Sequence, residues 1–522
     1  MLHSVRARRG VVTAPHHLAA QAGLGVLQDG GNAIEAIVAV AAALAVVYPH
    51  MTGIGGDGFW LVAEPDGTTW AIDACGAAAA SADLALYAGL GAVPSRGPLA
   101  ANTVAGTISG WQAALERGGG ALPLDRLLRD AIHYAEHGVA VTRGGAEIVA
   151  TKRAELRDQL GAWATTYDGC REGDLLRQPA LGTTLRRLAA EGLGSFYRGS
   201  LAADIARALS DLGSPVALAD LQRHAAATPH PLRVRVGNAT LFNTAPPTQG
   251  IASLLILALA HRLAAGAADG FAHVHGLVEA TKQAFLYRDA QVGDPAYMDV
   301  DPQALLDDAA ALDAMAARID AAKALPWPHP PQPGDTCWFG AADAEGRVVS
   351  CIQSTYFEFG SGVVLPDTGI TWQNRGSSFR LAPDGWNALR PGRKPFHTLN
   401  PALARFEDGR VMAYGTMGGE GQPQTQAALF SRYAWLGVPL QEAITRPRWL
   451  LGRTWGAESV SLKLEDRFDP DLYARLRAAG HQVELVDPFT SMMGHSGAIV
   501  RHPSGMLEGA TDPRSDGQVA AW

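Results

Sequence analysis

Pro333-Gly334-Asp335-Thr336-Cys337-Trp338-Phe339 marks the point where the chain changes character, and it reads as a cut site that makes Thr336 the first residue of a new polypeptide. Phe339-Gly340-Ala341-Ala342 leads into the turn Asp343-Ala344-Glu345-Gly346. Arg347-Val348-Val349-Ser350-Cys351-Ile352-Gln353 then returns with the alternation of a half-buried strand, which predicts a hairpin. A Thr hydroxyl inside a chain has no base of its own. At a chain start the α-amine, with a reference pKa of about 8, can take the hydroxyl proton and make Thr a nucleophile. A Thr leading a strand is ordinarily a β residue and nothing more, so the reading needs support from elsewhere. Ala321 to Gly334 supplies it. Pro326, Pro328, Pro330, Pro331 and Pro333 are too many for a helix or a central strand, and they predict an extended, exposed linker open to cutting.

Of the 522 residues 47% are apolar and 18% charged, enough for a large buried core. A net charge of −8 with scattered Lys and Arg argues against a nucleic-acid surface; Arg6-Ala7-Arg8-Arg9 reads as a solvated end. Cys75, Cys170, Cys337 and Cys351 show neither CxxC nor zinc-ligand spacing, so no metal is expected. They read as reduced thiols of a cytoplasmic protein, with a Cys337–Cys351 bridge as the less favoured alternative. The N-terminal segment lacks the apolar h-region of a signal peptide. The apolar run Ala36 to Val47 is too short to span a membrane and reads as a buried core helix. Thr52-Gly53-Ile54-Gly55-Gly56-Asp57-Gly58 superficially suggests a phosphate loop. It has no following Lys-Ser/Thr and runs into a strand, so tight backbone packing is expected and no cofactor is called for.

Residues 16 to 48 predict two helices split by Asp29-Gly30-Gly31-Asn32, with Asn32 capping the second. Helices are expected between Pro98 and Ala140, with a Trp111 anchor, and over Gly182 to Leu212 with a break at Gly192-Leu193-Gly194. A further helix, Ile251 to Leu263, should follow the turn Ala245 to Gly250. His275 to Asp289 should carry Glu279, Lys282 and Arg288 on a polar side. Beyond Thr336, Phe359 to Leu365, Thr368 to Gly376 and Tyr414 to Gly419 read as strand-turn units whose glycines leave backbone N–H groups available. Helix-rich and strand-rich stretches on both sides of the cut predict one intertwined α+β unit.

Several motifs fall in one order along nearly the whole chain: His17-Leu18-Ala19, Gly30-Gly31-Asn32-Ala33, Gly53-Ile54-Gly55-Gly56, Val104-Ala105-Gly106, Phe196-Tyr197-Arg198-Gly199, Pro246-Pro247-Thr248-Gln249-Gly250, His275 through Ala280, Phe359-Gly360-Ser361-Gly362 and Gly418-Gly419. Together they resemble the gamma-glutamyltranspeptidase family of N-terminal-nucleophile hydrolases. The resemblance implies an αββα sandwich of two stacked antiparallel sheets between helical layers. It implies a proenzyme that cuts itself into a large subunit, 1–335, and a small one, 336–522, intertwined in one unit; a dimer of these heterodimers stays open. It further implies that Thr336 attacks an amide carbonyl, that Ser354 supports it by a hydrogen bond, and that the N–H groups of Gly418 and Gly419 stabilise the oxyanion.

Departures from the family pattern bear on the substrate. Cys75 stands at the position of an Arg that grips the glutamyl α-carboxylate, Ser378 at that of the acid that binds the α-ammonium, and His397 and Thr398 at those of paired serines. Losing these partners disfavours a γ-glutamyl substrate. Arg375, in Gln373-Asn374-Arg375-Gly376, suits a planar carboxylate beside the scissile carbon, with Asn374, His397 and Thr398 as further candidate contacts. Asn374-Arg375-Gly376, Pro391 to Leu399 and Gly418 to Gln424 are similar to the non-glutamyl branch that includes the oxamate amidohydrolases. The expected activity is hydrolysis of a small carboxylated amide such as oxamate to oxalate and ammonia. The alternatives are a γ-glutamyl hydrolase or transpeptidase, a cephalosporin-type acylase, and an unprocessed, non-catalytic homologue.

Overall fold

The computed structural model describes residues 3–263, 266–328, 335–452 and 459–522, and only the backbone of Asp335. The predicted linker is irregular and mostly exposed over 321–328, and its remainder, 329–334, lies outside the described residues.

Two antiparallel sheets organise the chain. In one the strand order is Gln518–Ala521, Gly10–Ala14, Asp335–Asp343, Val348–Tyr356, Asp57–Ala63, Thr69–Ala74. The other runs Val5–Ala7, Leu507–Thr511, Ser496–Arg501, Val411–Thr416, Ala402–Phe406, Ala239–Asn243, Leu232–Val236. The sheets stack face to face through Phe59, Leu61, Trp338, Ile352, Leu403 and Ile499. Helices His17–Gln28, Ala33–Val47 and Thr107–Gly118 cover the outer face of the first sheet. Gly250–Ala260 and Gly421–Phe430 cover that of the second, with Phe271–Gln291 packed on them. This is the expected αββα sandwich. The predicted hairpin is its centre: Asp335–Asp343 and Val348–Tyr356 lie between two strands from the N-terminal part of the chain, so a cut before Thr336 leaves the halves interleaved.

Local chemistry explains the elements nearest this centre. Asn32 closes a capping box with Glu35 at the start of Ala33–Val47, whose fifteen residues are all buried. The glycine-rich stretch before Asp57 is tight packing, as expected. A Cβ on Gly56 would lie 2.1 Å from the Ser354 carbonyl oxygen, so only glycine lets this turn approach the nucleophile hairpin.

Two expectations are corrected. Glu279, Lys282 and Arg288 lie on no solvent face of Phe271–Gln291; all three are buried, because the helix is wedged between Gly250–Ala260, Gly421–Phe430 and Pro470–Ala478. Phe359 to Leu365 and Thr368 to Gly376 are irregular, since Phe359, Gly360 and Gly362 take left-handed φ values of 59°, 57° and 76° that no strand accommodates. Helix and strand are mixed on both sides of Thr336, as expected, with helices beyond it at Gly421–Phe430, Leu440–Thr445 and Pro470–Ala478. All four cysteines are free thiols. Among the described residues no helix is long and apolar enough to cross a membrane.

Candidate active site

Thr336 is fully buried, one residue into its strand. Asp335 pairs with Tyr356 and Cys337 with Gln353, so Ser354 and Thr355 together oppose Thr336 in a β-bulge. Tyr356 leaves the bulge at φ 85°, a conformation that a non-glycine residue holds only when its surroundings impose it. Ser354 is buried and its Oγ accepts the Tyr356 N–H at 2.7 Å, which fixes the bulge. Gln422 Nε2 donates to Thr336 Oγ1 at 3.2 Å, and its Oε1 accepts the Asn400 N–H at 3.2 Å.

Gly418 and Gly419 turn the chain from strand Val411–Thr416 into helix Gly421–Phe430 at φ 119° and 49°. Their carbonyls are engaged, Gly418 O by the Gly421 N–H at 2.7 Å and Gly419 O by Gln249 Nε2 at 2.8 Å. Their N–H groups donate to no described residue. Gln249 Nε2 also donates to Thr398 O at 2.7 Å, and its Oε1 accepts from Arg288 Nη1 at 2.9 Å. Arg288 Nη2 in turn donates to Glu420 Oε1 at 3.0 Å, so the glycine loop is braced from below by one buried guanidinium.

Arg375 is fully buried and its guanidinium carbon lies 3.5 Å from the centre of the Tyr356 ring. Nη1 donates to Thr398 Oγ1 at 3.3 Å, while Nε and Nη2 have no hydrogen-bond partner among the described residues. No carboxylate of the described residues forms an ion pair with it. Burial pulls its pKa down to about 10, which leaves it cationic at neutral pH. The backbone of Tyr356 faces Asp335, so the ring under this cation belongs to a residue paired one position from Thr336. A buried cation with two donors unpartnered among the described residues has the chemistry to receive one planar anion.

His397 and Thr398 are both at this site. The His397 ring is buried edge-on to Phe59, its Nδ1 accepting the Leu399 N–H at 3.4 Å. Nε2 therefore carries the proton and donates to Asp57 Oδ2 at 3.1 Å; burial holds the imidazole well below its ordinary pKa. Asp57, which sequence reasoning did not single out, also accepts at Oδ1 from Gly76 N–H, Gly106 N–H and Gln373 Nε2, at 3.1, 3.0 and 3.0 Å. Burial pushes its carboxyl up to about 7 against those donors. An acidic residue opening a fully buried strand was the available signal. Gln422, Gln249, Asn400 and Arg288 were missed as well.

The other candidates serve the backbone. Asn374 donates to Ser95 O at 2.7 Å and accepts the Phe357 N–H at 3.1 Å, holding the turn that carries Arg375. Ser378 Oγ donates to Phe396 O at 3.3 Å. Cys75 lies with its sulfur within 4.8 Å of ligand atoms of Asp57 and His397. That trio does not fit a cation, because the imidazole nitrogen facing it bears a proton and Arg375 stands nearby. The side chain of Asp335 lies outside the described residues.

Comparison with known proteins agrees with this arrangement. Residues 19–522 match the family Gamma-glutamyltranspeptidase. The chain is 58% identical to an oxamate amidohydrolase proenzyme of Klebsiella pneumoniae, over 98% of each chain. It is 38% identical to a glutathione hydrolase-like proenzyme, YwrD, of Bacillus subtilis, over 99% of each. Among solved structures, a cephalosporin acylase from Bacillus halodurans superposes with a TM-score of 0.90 at 32% identity, covering 100% of this chain and 97% of that one.

Proposed function

Taking as premise that the chain belongs to the gamma-glutamyltranspeptidase family, we propose that it is a self-cutting N-terminal-threonine amidohydrolase whose substrate is oxamate or a similarly small carboxylated amide. In the precursor, Thr336 Oγ adds to the Asp335 carbonyl carbon and the amide nitrogen leaves as the new α-amine. Water then hydrolyses the ester, freeing an Asp335 carboxylate and an N-terminal Thr336. In turnover the α-amine takes the Thr336 hydroxyl proton as Oγ adds to the amide carbon. The Gly418 and Gly419 N–H groups hold the oxyanion, and ammonia leaves with the proton from the α-amine. Water attacks the resulting ester and releases oxalate.

The observation that carries the choice of substrate is Arg375, buried with two donors that have no partner among the described residues. Oxamate joins its amide directly to a carboxylate, so one guanidinium and one oxyanion pocket account for the whole molecule. The neighbouring Asp57 accepts from four N–H donors, three at Oδ1 and His397 Nε2 at Oδ2, so it is engaged with the protein and is a poor partner for an α-ammonium. Named relatives that act on oxamate and as an acylase fit a shared amide chemistry. The test is intact-mass analysis followed by ammonia release from oxamate. Two fragments meeting at Asp335-Thr336 that release ammonia support the reading, and an uncut, inactive chain overturns it.

A further inference from the structure

Helix Phe271–Gln291 carries a second buried ionic cluster, away from Arg375. His275, Glu279 and Lys282 follow one another at successive turns, and His481 approaches from the C-terminal part of the chain; all four are buried. Lys282 Nζ lies 2.6 Å from Glu279 Oε1, and His275 Nδ1 lies 2.9 Å from His481 Nε2. Their remaining hydrogen bonds all go to one irregular stretch. His275 Nε2 donates to Asp320 O at 2.8 Å, Lys282 Nζ donates to Leu325 O at 2.6 Å, and the Leu325 N–H donates to Glu279 Oε2 at 3.0 Å. Beside them the Ala324 N–H donates to Ala479 O at 2.8 Å. A divalent cation has no place here, because Lys282 occupies Glu279 and the imidazole nitrogens are spent on each other and on Asp320.

Burying two opposite charges is a weak way to gain stability, since desolvation cancels most of the attraction. What this cluster does gain is the position of six residues that otherwise have no regular structure. Those residues, 320–325, end ten positions before Asp335 in the sequence. The same helix reaches the glycine loop. Arg288, nine residues beyond Glu279 and so about 14 Å along the axis, holds Gln249 and Glu420. One rigid element thus grips both the chain that feeds the cut site and the loop beside the nucleophile.

We infer that His275, Glu279, Lys282 and His481 form a clamp that positions the precursor chain for its own cleavage, and that the cut enzyme no longer needs the clamp for turnover. The inference rests on the self-cleavage proposed above. Its test uses the full chain made by cell-free synthesis, followed by intact mass over time, with trypsin cutting at Lys323 as a separate measure of the clamp. The Glu279→Gln/Lys282→Met double variant removes both charges together, so no lone ion is left buried. Leu325→Pro removes the one N–H that Glu279 holds, at a surface position, and serves if the double variant does not fold. Cleavage before Thr336 should slow by ~10-fold or more, the scale of loss expected when a reacting group is misplaced. Lys323 should be cut faster, and ammonia release per cleaved chain should be unchanged. Cleavage at the wild-type rate with Lys323 newly sensitive overturns the positioning role; unchanged Lys323 protection overturns the clamp. Equal losses in cleavage and in turnover per cleaved chain would reduce the cluster to general structural support. A wild-type chain that stays uncut while Lys323 is protected would defeat the self-cleavage reading itself, and the positioning role with it.

Discussion

Replacing Arg375 by Met separates the substrate assignment from a structural one. Met has a similar reach, keeps contact with the Tyr356 ring and gives up one hydrogen bond, to Thr398 Oγ1. The free enzyme loses a desolvated cation that has no ion-pair partner among the described residues, so its melting temperature should hold or rise. Substrate binding loses the two donors Nε and Nη2. At about 1.5–3 kcal/mol for each charge-assisted bond the loss is about 3–6 kcal/mol, or ~10²–10⁴-fold in kcat/KM for oxamate. Cleavage before Thr336 should proceed normally, because it engages no substrate carboxylate. Ammonia release from oxamate, compared with release from an uncharged primary amide, is the assay, and the loss should be confined to the carboxylated substrate. Wild-type kcat/KM on oxamate would refute the reasoning, and so would a lower melting temperature accompanied by failed cleavage.

Other perturbations test the remaining groups. Thr336→Ala should leave a single chain of 54.8 kDa with no ammonia release, and fragments of this variant in intact-mass analysis would place the nucleophile elsewhere. Gln422→Leu removes the donor to Thr336 Oγ1 and strands the Asn400 N–H, so kcat should fall by ~10–100-fold, for about 1–3 kcal/mol, with KM little changed; an unchanged kcat would show that the contact is idle. Asp57 carries a pH signature. Burial raises its carboxyl from 3.8 to about 7, so the folded chain holds a proton that the unfolded chain releases between those values. That contribution to stability is complete below pH 3.8 and lost as pH rises through 7. The melting temperature of the wild type relative to Asp57→Asn should therefore decline across this window, and a constant difference would contradict it.

What was legible in the sequence was local. Thr336 follows a Pro-rich segment and opens a hairpin; Gly418-Gly419 ends a strand; Arg375 stands in a glycine turn. Each is a signal within a few residues, and the structure brings all of them to one site. What was not legible depends on approach across the chain. Asp57 meets His397 at a separation of 340 positions, and Gln422 meets Thr336 at 86. Nothing near either residue in sequence announces its partner. The helix Phe271–Gln291 was misread for a related reason: periodicity locates a polar stripe but cannot tell water from a buried partner. There the stripe faces Asp320, Leu325, Gln249 and Glu420. Asn374 has a role that its proximity to Arg375 did not announce, since both ends of its amide hold backbone of the turn that carries the guanidinium.

Selectivity at this site follows from counting donors and acceptors. Three carboxylates of the described residues around this site have partners: Asp57 accepts from four N–H donors, Glu420 from Arg288, and Asp73 from Lys394 at 2.6 Å. Among the described residues Arg375 Nε and Nη2 and the Gly418 and Gly419 N–H groups are unspent donors, while Gln373 Oε1, whose Nε2 donates to Asp57, is an unspent acceptor. A site with one buried cation and this excess of open donors favours ligands that bring acceptors, and an ammonium entering it meets a like charge at Arg375. Ser378 Oγ donates to Phe396 O and brings no charge to the site, and Asp57 is engaged in holding His397 and the turns on either side of it.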